Sequence, residues 1–233
     1  MIPIKIMTQP DDVTCGPTSL HAVYNYFGDK ISLQKVISEI SYLDEGGTLA
    51  VMLAIHALKR NYNAVIYTYN LSVFDPSWFD GKTDIKEKLI LQKKHKKSKR
   101  LHRATESYIE FLTLGGSIEF LNLTPAVLKK IFEQKLPILT GLSATYLYNC
   151  SREAWTGNQA VYDDVKGFPT GHFVVLSGYD EESRNVVVAD PYRENPVSNN
   201  NYYSVKVSRL INSIMLGILT FDANLLVIKP EDK

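Results

Sequence analysis

The chain of 233 residues carries 26 basic and 25 acidic side chains, a formal net charge of +1, and only two cysteines. A chain of this length can bury a sizeable core without disulfide bonds, and Cys15 and Cys150 are too few for a disulfide scaffold or a paired-cysteine zinc site. No stretch has the pattern of a signal peptide or approaches the roughly 18 apolar residues of a membrane span. We therefore expect a soluble cytoplasmic protein with reduced thiols.

Charge is unevenly distributed along the chain. Seven basic residues lie within residues 93–103, a segment without Asp or Glu, and the rest of the chain has 19 basic against 25 acidic residues. Such a segment either is a solvated helical face or mobile loop, or binds an acidic substrate, a nucleic acid or an anionic surface. The seven residues are Lys93, Lys94, Lys96, Lys97, Lys99, Arg100 and Arg103.

The first part of the chain has mostly helical apolar spacing. The pattern predicts helices at about residues 15–27, 33–40 and 49–60, the last two with Ser32 and Thr48 as N-caps. Alternating β-branched and aromatic residues predict a strand at 63–70. A mostly helical insertion at about 71–116 follows, whose helical part runs from about 84 to 114 and ends at Gly115-Gly116.

The second part is richer in predicted strands. Thr124-Pro125 is typical of a helix start, and that helix should end near Lys135. Helices followed by strands favour an α+β fold, with a helical layer on a mainly antiparallel sheet. Because no repeat or low-complexity linker divides the chain, we expect one domain, residues 1–233.

Strands are predicted at 117–121, 137–144, 172–179, 185–190, 202–207 and 217–228, with a short helix at 208–217. The polar stretch 149–171 is predicted to be a long functional loop.

Cys15 lies where a reactive thiol could be held at a helix N-terminus. Asp12 or Thr14 could cap this helix, and Pro17 suits its first turn. A helix N-terminus and a nearby imidazolium both favour the thiolate form of a cysteine. The alternative is a small buried core residue, which is common for cysteine. Cys150 has no helix start beside it and is expected to be structural.

Among the five histidines, His172 is the best candidate for a catalytic base. It follows Gly171 and opens an apolar strand, whereas the others lie in predicted helices or in the basic segment: His21, His56, His95 and His102. If strands 172–179 and 185–190 form a hairpin, His172 lies approximately opposite Asp190, on the same sheet face. That carboxylate could accept the ring N–H and stabilise the imidazolium. Asp190-Pro191 is otherwise a simple turn.

Acyl chemistry at a thiolate also requires N–H donors for the developing oxyanion. The backbone N–H of Cys15 is one candidate. The side-chain amide of Gln9, six residues upstream, is a second, although a glutamine at such a position can equally be polar surface.

These elements carry a resemblance to a known family. Gln9, the run D-x-x-C-G-P-T-S-L around Cys15, the strand G-H-F-V-V-L-S-G-Y at His172 and A-D-P at Asp190 resemble papain-like cysteine peptidases of the bacteriocin-processing type, cysteine peptidase family 39. The resemblance implies a papain-like α+β fold, Cys15 as nucleophile, His172 as general base and acid, Asp190 as its orienting partner and Gln9 as oxyanion donor. Members of that family cleave peptide bonds, typically after a double glycine in leader peptides.

The chain also departs from the family pattern. Typical members are shorter and joined to a membrane exporter, and the resemblance does not extend to the insertion at about 71–116. The chain's own Gly46-Gly47 and Gly115-Gly116 are better explained as glycines that flank helix ends than as self-processing sites. Paired tyrosines are expected in the core rather than as a stacking platform for nucleic acid: Tyr24 and Tyr26, Tyr67 and Tyr69, Tyr146 and Tyr148, Tyr202 and Tyr203.

The motifs leave the substrate open but limit the chemistry. The sequence has no phosphate-binding loop, no G-x-G-x-x-G and no H-E-x-x-H, so we expect no cofactor and no metal. We expect a peptide or small amide substrate and neither a membrane nor a nucleic acid as partner. Three functions stay open: hydrolysis of a peptide or related amide through an acyl-enzyme on Cys15, transfer of the same acyl group to an amine, and peptide binding by an inactive module.

Overall fold

The computed structural model describes residues 1–44, 46–156 and 159–231. The α-helices are α1 (Cys15–Tyr26), α2 (Leu33–Glu39), α3 (Ala50–Leu58), α4 (Ile85–His95), α5 (Lys99–Thr113), α6 (Pro125–Glu133), α7 (Ala144–Tyr148) and α8 (Val207–Leu216). The strands are β1 (Tyr62–Thr68), β2 (Ser117–Glu119), β3 (Ile138–Ser143), β4 (Glu153–Thr156), β5 (Gln159–Tyr162), β6 (Gly171–Asp180), β7 (Asn185–Ala189), β8 (Tyr202–Lys206) and β9 (Asn224–Pro230). Short 3-10 helices cover Pro76–Phe79 and Gly217–Thr220.

One large sheet organises the fold. Its strand order is β2-β1-β9-β3-β6-β7-β8, and strands β4 and β5 form a separate hairpin. The pair β1 and β2 is parallel, whereas the other neighbours in the large sheet run antiparallel. The predicted α+β class with a mainly antiparallel sheet is therefore confirmed.

Helices cover both faces of this sheet rather than one. Alternate residues of β6 point to opposite sides: Phe173 and Val175 join a hydrophobic cluster with α1, α3 and α5, whereas Val174 and Leu176 join a second cluster with α6 and α8. The N-terminal helices α1 and α3 therefore pack on one face of the sheet as expected, and α6 and α8 cover the other face. Both faces are covered because β6 is an interior strand whose residues are buried from His172 to Gly178.

Local capping signals located several helix starts. The side chains of Ser32 and Thr124 accept hydrogen bonds from backbone N–H groups in the first turns of α2 and α6, as predicted. Thr48 does not cap α3. That helix begins at Ala50, and the Thr48 hydroxyl instead donates to the carbonyl of Ser41. At α1, Thr14 occupies the N-cap position but its side chain makes no capping hydrogen bond.

The predicted insertion is helical but interrupted. Helix α4 ends before Lys96, whose backbone is extended, and Ser98 starts α5 by accepting a hydrogen bond from the N–H of Leu101. Ser98, inside the basic segment, is therefore an N-cap that the sequence analysis did not predict. The insertion packs on the protein body through α5, whose Tyr108 and Phe111 belong to the same hydrophobic cluster as α1 and α3.

Two strand and loop predictions were wrong. The strand expected at 217–228 begins only at Asn224, because Gly217–Thr220 is a 3-10 helix and Phe221 adopts a left-handed conformation at φ 67°. The stretch 149–171 contains the β4–β5 hairpin rather than only loop, with residues 157–158 outside the described residues. In the part of the chain that the structure describes, no helix is both long and apolar enough to cross a membrane.

Candidate active site

A histidine and a buried carboxylate meet at one end of β6. The Nε2–H of His172 donates to Oδ1 of Asp190 over 2.8 Å. Asp190 is fully buried, and its carboxylate accepts three further hydrogen bonds, from the backbone N–H of Tyr192 at 2.8 Å and from the hydroxyls of Tyr148 at 2.8 Å and Tyr203 at 2.6 Å. A buried carboxylate is tolerated when donors satisfy it in this way.

The register of the β6–β7 hairpin differs from the prediction. Val175 pairs with Ala189, and continuing that register sets Asp190 opposite Val174 rather than His172. An irregularity between Leu176 and Gly178 shifts the pairing along the hairpin. The expected direct opposition is therefore wrong by two residues, yet the two side chains still share one sheet face as diagonal neighbours, close enough to touch.

Cys15 is the first residue of α1, and its side chain is 9% exposed. The buried hydroxyl of Ser19, one turn further along α1, donates to the carbonyl of Phe173 over 3.2 Å. This bond ties the helix that carries Cys15 to the strand that carries His172. Gly16 allows α1 to pack closely on its surroundings, because a Cβ there would lie 2.6 Å from Thr48 Cγ2 and 3.3 Å from Phe173 Cδ2.

The environment of His172 favours its protonated form. Burial alone would lower its pKa, but the charge and hydrogen bond of Asp190, together with the nearby Cys15 thiol, raise the pKa to about 10. Burial likewise opposes the charge of Asp190, but His172, Tyr203 and the N–H of Tyr192 hold the pKa of that carboxyl below its ordinary value. With Nε2 bound to Asp190, Nδ1 is the ring nitrogen left to interact with Cys15. The arrangement supports an imidazolium between a carboxylate and a sulfur.

Two residues at this site were missed by the sequence reasoning. Tyr148 and Tyr203 were expected to be core residues, and they are buried, but their hydroxyls point to Asp190. Burial raises the pKa of both phenols, so they remain protonated donors. No local pattern marks them, since one lies on α7 and the other on β8. Their role depends on tertiary packing alone.

Gln9 is held beside the same strand end. Its backbone N–H donates to the carbonyl of Pro191 over 2.9 Å, and its side-chain nitrogen donates to the carbonyl of Asp11 over 2.8 Å. A side-chain amide nitrogen carries two hydrogens, so Asp11 takes only one of them. Gln9 also lines a cleft together with His172.

That cleft encloses about 630 Å³, a size suited to part of a peptide chain. Its walls come from the loop before α1, from residues 160–162 of β5, from residues 168–172 and from Arg100 of the insertion. Much of the cleft wall therefore comes from the stretch 149–171. The cleft does not lie at the sheet edge, because β6 is an interior strand, and it opens at the end of that strand.

The remaining cysteine and histidines make other contacts. Cys150 is half-buried, and burial raises the pKa of its thiol. His56 is buried, with its ring bound to the hydroxyl of Tyr24 at 2.8 Å and to Glu39 at 3.2 Å, and burial lowers its pKa. Burial also lowers the pKa of His21 on α1.

A cysteine at a helix N-terminus and a strand-borne histidine bound to a carboxylate, on a mainly antiparallel sheet, are typical of papain-like cysteine peptidases. Comparison with known families agrees: the peptidase C39-like family matches residues 1–211. The chain therefore belongs to the peptidase C39-like family.

A solved structure shares the fold, and a second shows a weaker similarity. The crystal structure of a proposed C39-like peptidase from Bacillus anthracis matches with a TM-score of 0.53 and 16% sequence identity, over 100% of this chain and 98% of that chain. Xylellain, a cysteine protease from Xylella fastidiosa, matches with a TM-score of 0.46 and 17% identity, over 100% of this chain and 85% of that one. A comparison with curated proteins finds no match.

Proposed function

We propose that the protein hydrolyses a peptide or related amide bond through an acyl-enzyme on Cys15. The observation that carries the proposal is the buried His172–Asp190 pair, joined over 2.8 Å, with the Cys15 thiol close enough to the ring to raise its pKa. A cysteine paired with a charged histidine is a nucleophile, whereas a core cysteine needs no such partner.

In the first half of the reaction, the Cys15 sulfur attacks the carbonyl carbon and an S–C bond forms. The carbonyl oxygen becomes an oxyanion, which accepts hydrogen bonds from the second Nε2–H of Gln9 and from the backbone N–H of Cys15. His172 transfers its Nδ1 proton to the nitrogen of the scissile bond. The C–N bond breaks and the amine leaves, so the acyl group remains on sulfur and His172 is neutral.

In the second half, neutral His172 removes a proton from water, which attacks the acyl carbon. The S–C bond breaks, the carboxylic product leaves, and the thiolate and imidazolium are restored. Asp190 touches neither substrate nor sulfur in this sequence. It acts as a positioning residue that holds the ring by Nε2 and stabilises its charge, and Tyr148 and Tyr203 in turn hold Asp190.

Labelling and turnover test the assignment together. Iodoacetamide at slightly acidic pH should alkylate Cys15, as located by peptide mass spectrometry, because a neighbouring imidazolium keeps this sulfur reactive there. Cys15→Ala should lose both the label and the hydrolysis of quenched fluorescent peptides. Cys150→Ser is the matched control and should keep both. Alkylation of Cys150 instead, or full hydrolysis by Cys15→Ala, would contradict the proposal.

The insertion and the rest of the chain form one domain in this proposal. Its support is that α5 shares a hydrophobic cluster with α1 and α3 rather than having a core of its own.

Cleavage after a double glycine is a specificity that the family resemblance implies for some members. Peptides that differ only in Gly-Gly against Ala-Ala before the scissile bond would test it here.

A further inference from the structure

Ser19 makes a different kind of hydrogen bond from two other buried serines in helices. Its side chain is fully buried, and its hydroxyl leaves α1 to donate to the carbonyl of Phe173 in β6 over 3.2 Å. Ser107 in α5 and Ser213 in α8 are also buried, but each hydroxyl donates to the carbonyl four residues earlier in its own helix. Such a bond within the helix is a common arrangement for serine. The Ser19 hydroxyl instead joins two elements of the fold.

These two elements carry the candidate nucleophile and the candidate base. Cys15 and Ser19 are four residues apart in α1, so their side chains lie one above the other on the same face of the helix. Phe173 directly follows His172 in β6. The hydrogen bond therefore lies one helical turn from the Cys15 sulfur and one strand residue from the imidazole.

Phe173 is held closely on both of its sides. A Cβ on Gly16 would lie 3.3 Å from Phe173 Cδ2, and a Cβ on Gly141 would lie 3.0 Å from Phe173 Cε1. Gly141 is the residue of β3 that pairs with Phe173. Two glycines thus allow the aromatic ring to pack against the backbones of α1 and β3. The carbonyl that Ser19 binds therefore belongs to a tightly packed residue.

The relative placement of α1 and β6 matters for the chemistry. His172 and Cys15 are close enough for the thiol to contribute to the raised pKa of the ring. Ser19 and Phe173 are 154 residues apart in the chain, so tertiary contacts alone hold the two elements together. A displacement of reacting groups by about 1 Å can lower a reaction rate about 100-fold. A hydrogen bond beside both groups is well suited to fix their separation.

We propose that Ser19 is a positioning residue, which sets the separation of the Cys15 sulfur and the His172 ring by fixing α1 on β6. The inference rests on the proposed peptidase function. Ser19 touches neither the substrate nor the reacting atoms. Its loss should therefore reduce kcat and the reactivity of Cys15 on the acid side, and it should leave KM unchanged.

Alkylation of Cys15 at two pH values tests the proposal. The rate with iodoacetamide is measured at pH 5.5 and at pH 8.5 by peptide mass spectrometry, and the ratio of the two rates is compared between variants. An ordinary thiol with a pKa of about 8.5 reacts roughly 500-fold more slowly at the lower pH. In the wild type the imidazolium keeps the sulfur reactive at pH 5.5. Ser19→Ala should lower the ratio of the rates at pH 5.5 and pH 8.5 at least about tenfold.

Turnover provides a second readout on the same variants. In Ser19→Ala, kcat for a quenched fluorescent peptide should fall at least about tenfold, whereas KM should stay within about twofold of the wild-type value. Ser19→Cys keeps the shape of the side chain but has only a weak S–H donor. Its kcat should fall in the same direction, which decides the question if Ser19→Ala does not fold.

Ser213→Ala is the matched control. It removes a hydroxyl of equal burial from the interior of a helix, and α8 packs on the opposite face of the sheet from α1. Urea titrations measure the unfolding free energy of each variant, so that a general loss of stability can be compared with the kinetic effect. Ser213→Ala should keep the wild-type ratio of alkylation rates and the wild-type kcat.

Three results would overturn the proposal while leaving the peptidase function intact. These are an unchanged alkylation ratio in a folded Ser19→Ala variant, a rise in KM without a fall in kcat, and an equal loss of the ratio in Ser213→Ala. Wild-type protein that neither reacts at Cys15 nor cleaves any peptide would instead refute the peptidase function, and this inference with it.

Discussion

Replacing Asp190 by Asn should convert His172 from a cation to a neutral ring at neutral pH. The change is nearly isosteric: Oδ1 can still accept from His172 and Tyr192, and the new NH₂ group can donate to the hydroxyl oxygens of Tyr148 and Tyr203. What disappears is the negative charge. The variant therefore separates the electrostatic contribution of Asp190 from its packing.

The expected size of the effect follows from the opposing influences on His172. In the wild type its pKa is about 10, against an ordinary value of 6.5, although burial by itself lowers it. Without the carboxylate charge, the pKa should fall to about 6.5 or below. A change of more than three pH units corresponds to roughly 5 kcal/mol of lost stabilisation of the imidazolium.

NMR of the histidine ring carbons measures this pKa directly. The chain has five histidines, so the ring signals are few, and the spectrum of His172→Gln identifies the signal of interest. Between pH 5.5 and 8.5 the wild-type signal should keep the chemical shift of protonated histidine. In Asp190→Asn the signal should either move to the chemical shift of neutral histidine within this range or have that shift throughout. Hydrolysis at pH 7 should fall strongly, since neutral His172 cannot protonate the leaving amine.

The sign of the linked stability provides a second readout. A histidine pKa that is raised in the folded state contributes stability that is complete below about 6.5 and is lost as pH rises towards about 10. Unfolding free energy of the wild type should therefore decline over that range, and that of Asp190→Asn should not. An unchanged His172 titration in a folded Asp190→Asn variant would refute the assignment of the carboxylate charge as the cause.

Three other substitutions probe the surroundings of the site. Tyr203→Phe removes a 2.6 Å hydrogen bond to the buried carboxylate of Asp190. Urea titrations should show an unfolding free energy that is lower by about 1.5–3 kcal/mol. Tyr162→Phe, on the exposed β4–β5 hairpin, should leave the unfolding free energy unchanged. Gly16→Ala would set a Cβ 2.6 Å from Thr48 Cγ2 and displace the start of α1. Alkylation of Cys15 should then slow at least about tenfold in mass-spectrometric time courses. An unchanged alkylation rate would contradict the close packing around Gly16. Burial raises the pKa of Asp222 from 3.8 to about 7. The unfolding free energy of the wild type should therefore fall by about 4 kcal/mol as pH rises from about 4 to 7. Unfolding measured over this pH range should show that Asp222→Asn abolishes this decrease.

The sequence was most informative where a structural signal depends on neighbouring residues. Ser32 and Thr124 act as caps through N–H groups three residues away, so their role could be predicted from the local sequence. Thr48 has the same side chain as Thr124, but α3 begins one residue later than predicted, with Leu49 at the N-cap, and the N–H of Ala50 donates to Asp222 instead. That partner comes from a distant segment, so no local pattern contains it.

The predicted strand at 217–228 was wrong for a related reason. Its apolar residues resemble a strand, but Asp222 is buried and its Oδ1 accepts from the N–H of Ala50 at the start of α3 over 3.0 Å. The backbone turns at Phe221 before the strand begins. A buried carboxylate that caps a distant helix from another element can be recognised only when the tertiary structure is known.

The same distinction applies to the contacts around the candidate site. His172 and Asp190 are 18 residues apart in one hairpin, so hairpin pairing could bring them together in the sequence analysis even with the register wrong by two. Arg100 reaches Thr220 across 120 residues, from a segment to which the family resemblance does not extend. Motifs can therefore suggest which groups act on the scissile bond, whereas a contact between distant segments can be recognised only in the tertiary structure.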